Sequence, residues 1–173
     1  MLAKISEAAD GKCRALVLSG GSNNGAWEAG VMWGLLHYGN PTDFAWDTVS
    51  GVSAGAINTG GIATWEKGTE LEMTEWLSLK WQTMQNEDLY YYRQGSTYEI
   101  LFKEPSFLDD TPALTTLNDI YSETGGEIKR HFVVSAVDVN TGDYVPMTDK
   151  DTPFENLARS TLSSGSIQVV FPP

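Results

Sequence analysis

Asp47-Thr48-Val49-Ser50-Gly51-Val52-Ser53-Ala54-Gly55-Ala56-Ile57-Asn58 is the stretch that decides the fold. Asp47 to Val52 reads as a short strand, and Ala54 to Trp65 reads as a helix of small residues (Ala56, Gly60, Gly61, Ala63) able to lie close to a sheet. Between them Gly51-Val52-Ser53-Ala54-Gly55 fits Gly-x-Ser-x-Gly. In such an elbow a serine sits on a strained strand-to-helix turn, and small flanking residues let the chain bend sharply. The amide groups and positive dipole end of the helix would then favour developing negative charge. An ordinary Gly/Ser turn is the competing reading, and the strand-to-helix context favours the nucleophile.

Working outward, the same unit occurs once upstream. Cys13 to Ser19 is a mostly apolar run suited to a buried parallel strand, and Gly20-Gly21-Ser22-Asn23-Asn24-Gly25 is a turn of residues that tolerate positive φ. Trp27, Val31, Leu35 and Tyr38 then recur at helical spacing, with Gly39-Asn40-Pro41 as a stop. Two strand-turn-helix units imply an α/β domain with a parallel sheet. Downstream, Met73, Leu77, Trp81 and Met84 mark a third helix over Glu70 to Met84. The tryptophans at 27, 76 and 81 are expected in the core. Gln85 to Pro112, including Glu99-Ile100-Leu101-Phe102, reads as irregular or short helical pieces. Phe132 to Val139 is the clearest strand, and Asn140-Thr141-Gly142 turns it into a hairpin with Asp143 to Thr148. Phe154, Leu157, Ala158 and Leu162 describe a last short helix.

The 173 residues suffice for one domain, and 41% hydrophobic with 20% charged residues is a globular composition. Eleven Lys and Arg against 23 Asp and Glu give a net charge of −12, which argues against a nucleic-acid partner and against purely electrostatic docking on anionic lipid. The single Cys13 makes no internal disulfide, and there is no Cys/His cluster for zinc. No stretch approaches the ~18 apolar residues of a membrane span. Met1 to Lys12 lacks the apolar middle of a signal peptide. The compartment stays undetermined.

A serine nucleophile needs donors for an oxyanion, and the glycine turn at 20–25 can supply backbone amides that approach a reacting carbonyl closely. A dinucleotide loop would need glycine where Ser22 stands, and a phosphate loop would need Gly-Lys-Ser or Gly-Lys-Thr. Neither histidine looks like a base: His37 falls near a helix C-terminus and His131 opens a strand. Asp138 and Asp143 flank the hairpin turn and are expected to serve it. Asp109-Asp110 and Asp149-Lys150-Asp151 read as solvated loops without a metal-ligand pattern.

Leu18 to Val31 followed by Gly51 to Asn58 resembles the patatin-like phospholipase family. Shorter echoes are Phe107 to Leu114, Val137 to Gly142 and Ser164 to Pro173, so the resemblance runs from residue 13 to the end. It implies an α/β, three-layer domain over residues 13–173, a sheet with helices on both faces, preceded by an N-terminal segment, 1–12. It further implies lipid acyl ester hydrolysis by a Ser/Asp dyad without histidine, metal or other cofactor. By position Ser53 is the nucleophile, Gly20, Gly21, Ser22 and Gly25 form the oxyanion loop, and Gly51 and Gly55 flank the elbow. The implied partner is a lipid or acyl-ester substrate, with Tyr90-Tyr91-Tyr92 as the candidate for a peripheral membrane contact.

Two departures stand out. Ser22 replaces the family's third glycine and Asn24 its usual basic residue, so a Cβ at 22 is expected to narrow or re-aim the hole. The family's aspartate sits in an Asp-Gly pair downstream of the Phe-Pro-Pro segment, and the only Asp-Gly here is Asp10-Gly11, ahead of the first strand. The domain is therefore expected to be incomplete at its C-terminus, part of a larger chain or assembly. The alternative is an inactive relative with a structural or lipid-binding role.

Overall fold

The structure is a computed structural model that describes residues 11–94, 104, 106–167 and 170–172. Its elements are β1 (Ala15–Leu18), α1 (Gly25–Tyr38), β2 (Thr48–Gly51), α2 (Ala54–Ala63), α3 (Glu70–Thr83), β3 (Tyr91–Tyr92), β4 (Leu108–Asp109), α4 (Thr111–Ser122), β5 (His131–Val137), β6 (Tyr144–Thr148) and α5 (Phe154–Gly165). Four strands form one sheet in the order β1-β2-β5-β6. The first three are parallel, with Leu18 opposite Gly51 and Gly51 opposite Val134, and β6 returns antiparallel to β5. The expected strands, the hairpin and the helices at 25–38, 54–63, 70–83 and 154–165 are all present, within a few residues of their expected ends.

Register decides which face is buried, because successive strand residues point to opposite sides. Leu18, Val49, Phe132 and Val134 share one face and are buried. Against it lies α2, whose residues are almost all buried. Its small residues also let α4 and α5 pack closely on its other side: a Cβ at Gly60 would stand 2.6 Å from Thr161 Cγ2 and 2.7 Å from the Tyr121 hydroxyl. The sheet is thus parallel-dominated and flanked by helices, as an α/β domain requires. Its cover is unequal. On the opposite face Val17 is 75% exposed, and Val137 and Tyr144 are exposed as well.

Helix α1 departs from its expected packing. It buries Ala29, Met32 and Leu36, while Trp27 (71% exposed), Val31, Leu35 and Tyr38 (84% exposed) form its outer stripe. The spacing of those four residues marks a helix but not the core side, because α1 is apolar all round and the small Ala29 lets α3 pack closely. Trp76 and Trp81 are half-buried, Trp76 stacking at a tilt on Trp65. The 85–112 stretch holds more regular structure than expected: β3 pairs antiparallel with β4, and α4 begins at Thr111. Pro112 does not break α4, since a first-turn proline surrenders an amide that has no helical partner. Glu99-Ile100-Leu101-Phe102 lies outside the described residues.

One ion pair pins the start of β5. The Arg130 guanidinium donates to Glu70 Oε1 at 3.1 Å and to the carbonyls of Trp65, Trp46 and Glu66, with both charged side chains essentially buried. Burial pushes the Glu70 carboxyl up against the pull of Arg130.

Candidate functional site

Ser53 adopts φ 54° and ψ −123°, a conformation L residues rarely hold. It comes two residues after the end of β2 and caps α2, so the strand-to-helix turn expected from Gly51 to Gly55 is the one observed. The bend depends on missing side chains. A Cβ at Gly55 would stand 2.7 Å from the carbonyl oxygens of Leu18 and Ser19, and a Cβ at Gly51 would run into the Gly55 backbone. The Ser53 amide donates to Ser164 Oγ of α5 at 2.9 Å, a partner 111 residues away that no local motif announces.

The glycine turn lies against this serine. A Cβ on Gly20 would sit 3.1 Å from Ser53 Cβ and 3.7 Å from its Oγ. Gly21 lies beneath the Asn24 side chain, and Asn24 N–H donates to the Gly21 carbonyl. Gly25 opens α1 where a Cβ would meet the Trp81 ring at 2.6 Å and Ala54 Cβ at 3.2 Å. The N-termini of α1 and α2 therefore converge beside Ser53, and their helix dipoles give the corner a positive potential. Ser22 also has a positive φ, 54°. Glycine adopts that conformation freely, so the departure at this position carries backbone strain besides an added side chain.

A buried clamp holds turn and elbow together. Asn58 of α2 donates through Nδ2 to the Gly25 carbonyl (3.0 Å) and to Glu28 Oε2 (3.1 Å), and accepts the Trp81 indole N–H at 2.7 Å. Glu28 Oε1 accepts the Ser19 amide at 2.9 Å. Both ends of the glycine turn are thus fixed to α1, α2 and α3.

Ser53 opens into a cavity of about 400 Å³. Ile57, Met84, Leu89 and Leu162 give it apolar walls, Trp81, Tyr90 and Phe171 give it aromatic ones, and Ser22, Asn23, Ser53 and Ser166 give it polar edges. Asp110 also lines it, which corrects its reading as part of a solvated loop; β4 and α4 place it there. Its neighbour Asp109 is engaged locally, accepting the Thr111 amide at 3.0 Å and hydroxyl at 2.6 Å. Tyr90 faces the cavity, whereas Tyr91 and Tyr92 are exposed.

The histidines stay away from Ser53. His131 pairs with Thr48, at the strand end opposite the elbow, and its Nδ1 is 2.7 Å from Asp149 Oδ2. His37 stacks on Trp33 and lies 3.4 Å from Glu75. Asp138 accepts the amides of Asn140 and Thr141, so it serves the hairpin turn as expected. Asp151 accepts the Thr148 amide and hydroxyl, a structured turn and not merely a solvated loop.

A strained serine between a parallel strand and a helix, with a glycine turn against it and an apolar cavity in front, belongs to an α/β protein whose strand-to-helix turn has the shape of an elbow. The sequence model for patatin-like phospholipases matches residues 16–173, and the chain belongs to that family. No functionally curated protein matches it. Among solved structures it is similar to VipD from Legionella pneumophila, with a TM-score of 0.51 and 15% identity over 99% of this chain and 47% of that one. That likeness is one of fold, and the chain spans about half the length of the VipD structure. Among the described residues no helix is long and apolar enough to cross a membrane.

Proposed function

We propose that the protein hydrolyses a lipid acyl ester with Ser53 as nucleophile. Ser53 Oγ attacks the acyl carbonyl and its proton passes to an aspartate. The carbonyl oxygen, now an oxyanion, is held by amides of the turn at Gly20, Gly21 and Ser22, the Gly25 amide being already taken by carbonyls of the turn. Collapse expels the alcohol, protonated by the same aspartic acid, and leaves an acyl-serine. Water, deprotonated by the aspartate, then attacks that ester; the acyl–oxygen bond breaks, the aspartic acid returns the proton to Ser53 Oγ, and the fatty acid is released. The observation that carries the reading is the Ser53 backbone at φ 54° within an apolar cavity. Strain of this kind persists only where surrounding structure over-determines it, and it collects at reactive sites.

The patatin-like domain is read over 13–173, and among the described residues no aspartate hydrogen-bonds to the Ser53 hydroxyl, so none of those is assigned as the dyad base. The sheet has an open face. Val17 and the α1 stripe of Trp27, Val31 and Leu35 border one groove of about 590 Å³ floored by Ser50 and Val133, apolar surface of the sort a further layer covers. Tyr91 and Tyr92, exposed beside the cavity wall, are the contact with a membrane interface.

A second reading, an inactive patatin-like scaffold that binds lipid, is favoured by Ser22, whose Cβ and strained φ occupy the oxyanion turn. One experiment separates the two: intact-mass measurement with a fluorophosphonate, followed by peptide mapping, on the wild type and Ser53→Ala. An adduct on Ser53 that vanishes in Ser53→Ala supports the hydrolase. No adduct in a folded full-length protein overturns it and leaves the scaffold.

A further inference from the structure

Asp110 is the one charged side chain among the described residues lining the Ser53 cavity. Its position just before α4 is where a carboxylate ordinarily caps a helix, yet it makes no cap hydrogen bond. The local amide and hydroxyl of Thr111 are taken by Asp109 instead. Apart from a bond to its own backbone amide, the Asp110 carboxylate is not spent on its helix. Partial burial pushes its pKa up and Asp109 adds to that push, while its own amide, Arg93 and Arg159 oppose it, the two arginines from outside the cavity lining. Arg93 is itself engaged, 3.2 Å from Glu104 and 4.0 Å from Asp109. An anionic group in an apolar cavity is costly unless something cationic offsets it.

The walls opposite such a cation are suited to it. Trp81, Tyr90 and Phe171 line the same cavity, with the Tyr90 and Phe171 rings edge to face at 6.4 Å. Aromatic faces attract ammonium groups, most strongly when these are desolvated. The net charge of −12 steers cations toward the protein and anions away.

We propose that the cavity beside Ser53 receives an ammonium group, held by Asp110 and the aromatic faces of Trp81, Tyr90 and Phe171, so that the site selects acyl esters bearing an ammonium and rejects anionic ones. The proposal deepens the hydrolase reading and rests on it for the ester, but ammonium binding itself needs no turnover. Two ligands of equal chain length and opposite charge, hexyltrimethylammonium and hexanoate, are titrated calorimetrically into the full chain. The wild type is expected to bind the ammonium about tenfold more tightly, the order of one partly screened charge contact. Asp110→Asn is expected to bring the two within about twofold, and Asp110→Glu to keep the preference. Equal binding in the wild type, or a preference that survives Asp110→Asn, would overturn the proposal. If Asp110→Asn does not fold, the wild-type comparison alone decides. Neither ligand contains an ester, so a protein whose Ser53 fails to react still reports on the ammonium site, and the two readings fail separately. Phosphatidylcholine vesicles that bind the protein and are displaced by hexyltrimethylammonium identify a lipid head group as the source. Binding of the soluble ammonium without vesicle binding identifies a soluble ester, and both results support the site.

Discussion

Replacing Ser53 by glycine should make the protein more stable, although it removes the proposed nucleophile. The comparison that isolates the effect is Ser53→Gly against Ser53→Ala. No described hydrogen bond involves the Ser53 hydroxyl, so alanine removes the hydroxyl while keeping the Cβ and with it the strain at φ 54°, ψ −123°. A non-glycine residue in so sparsely populated a region costs ~1–3 kcal/mol. Glycine relieves that cost but returns ~0.4–1 kcal/mol through the greater freedom of the unfolded chain. The net expectation is about 1 kcal/mol in favour of glycine over alanine, or roughly 2–4 °C in Tm for a chain of this length. Urea unfolding followed by far-UV circular dichroism gives the difference directly, provided the m-values agree. If Ser53→Gly is no more stable than Ser53→Ala, the turn is not strained in solution, and the argument from strain to reactivity fails with it.

The elbow glycines give a sharper contrast: Gly55→Ala drives a Cβ toward the Leu18 and Ser19 carbonyls and should cost ~2–3 kcal/mol. Gly34→Ala in α1, where nothing lies within 4 Å, should gain ~0.5–1 kcal/mol, both read from urea midpoints. Arg130→Met strands the Glu70 carboxylate in the core and should cost ~3–5 kcal/mol, most of it recovered in the Arg130→Met/Glu70→Leu double variant. Acid should unfold the protein partly through Asp47 and Asp109. The Arg14 amide and Lys67 hold the first below the ordinary carboxylate range, and the Thr111 hydroxyl and amide hold the second. Because both pKa values are depressed in the folded state, their stabilisation is present above about pH 4 and is lost as pH falls through the folded values. Melting temperatures between pH 7 and pH 2.5 should therefore fall less steeply in Asp47→Asn than in the wild type.

The two strand-turn-helix units were legible because each is a local event: an apolar run, a turn built of glycine and serine, and a helix whose small residues announce close packing. Ser53 and the 20–25 turn were legible for the same reason. What escaped the sequence depends on distant partners. Ser164 meets the Ser53 amide across 111 residues, and the Asn58 clamp gathers groups from three helices. Asp110 reads as half of an acidic pair until α4 turns one carboxylate to the helix and the other to the cavity. The α1 stripe misled for a different reason. A helix apolar on every side has no periodic signal to say which side meets the core, and the choice fell to Ala29, Met32 and Leu36 because α3 packs there.

The same residues explain how the strain at the site is sustained. Ser22 and Ser53 both hold positive φ, so turn and elbow would each relax if they were free to move independently. They are not free, because Asn58 binds the Gly25 carbonyl and Glu28, Glu28 binds the Ser19 amide, and Ser164 binds the Ser53 amide. Asn58 is fully buried, and its three partners leave neither end of its amide unsatisfied. Asn58→Leu would keep a similar volume but leave the Trp81 N–H without its acceptor and the Gly25 carbonyl and Glu28 without their donor, at ~1–3 kcal/mol for each group stranded from water. The larger effect should be on reactivity, since the glycine turn would lose its anchor beside Ser53. Fluorophosphonate labelling should slow at least tenfold in Asn58→Leu at temperatures where circular dichroism shows it folded, and an unchanged rate would mean that the clamp holds the fold but not the geometry of the site.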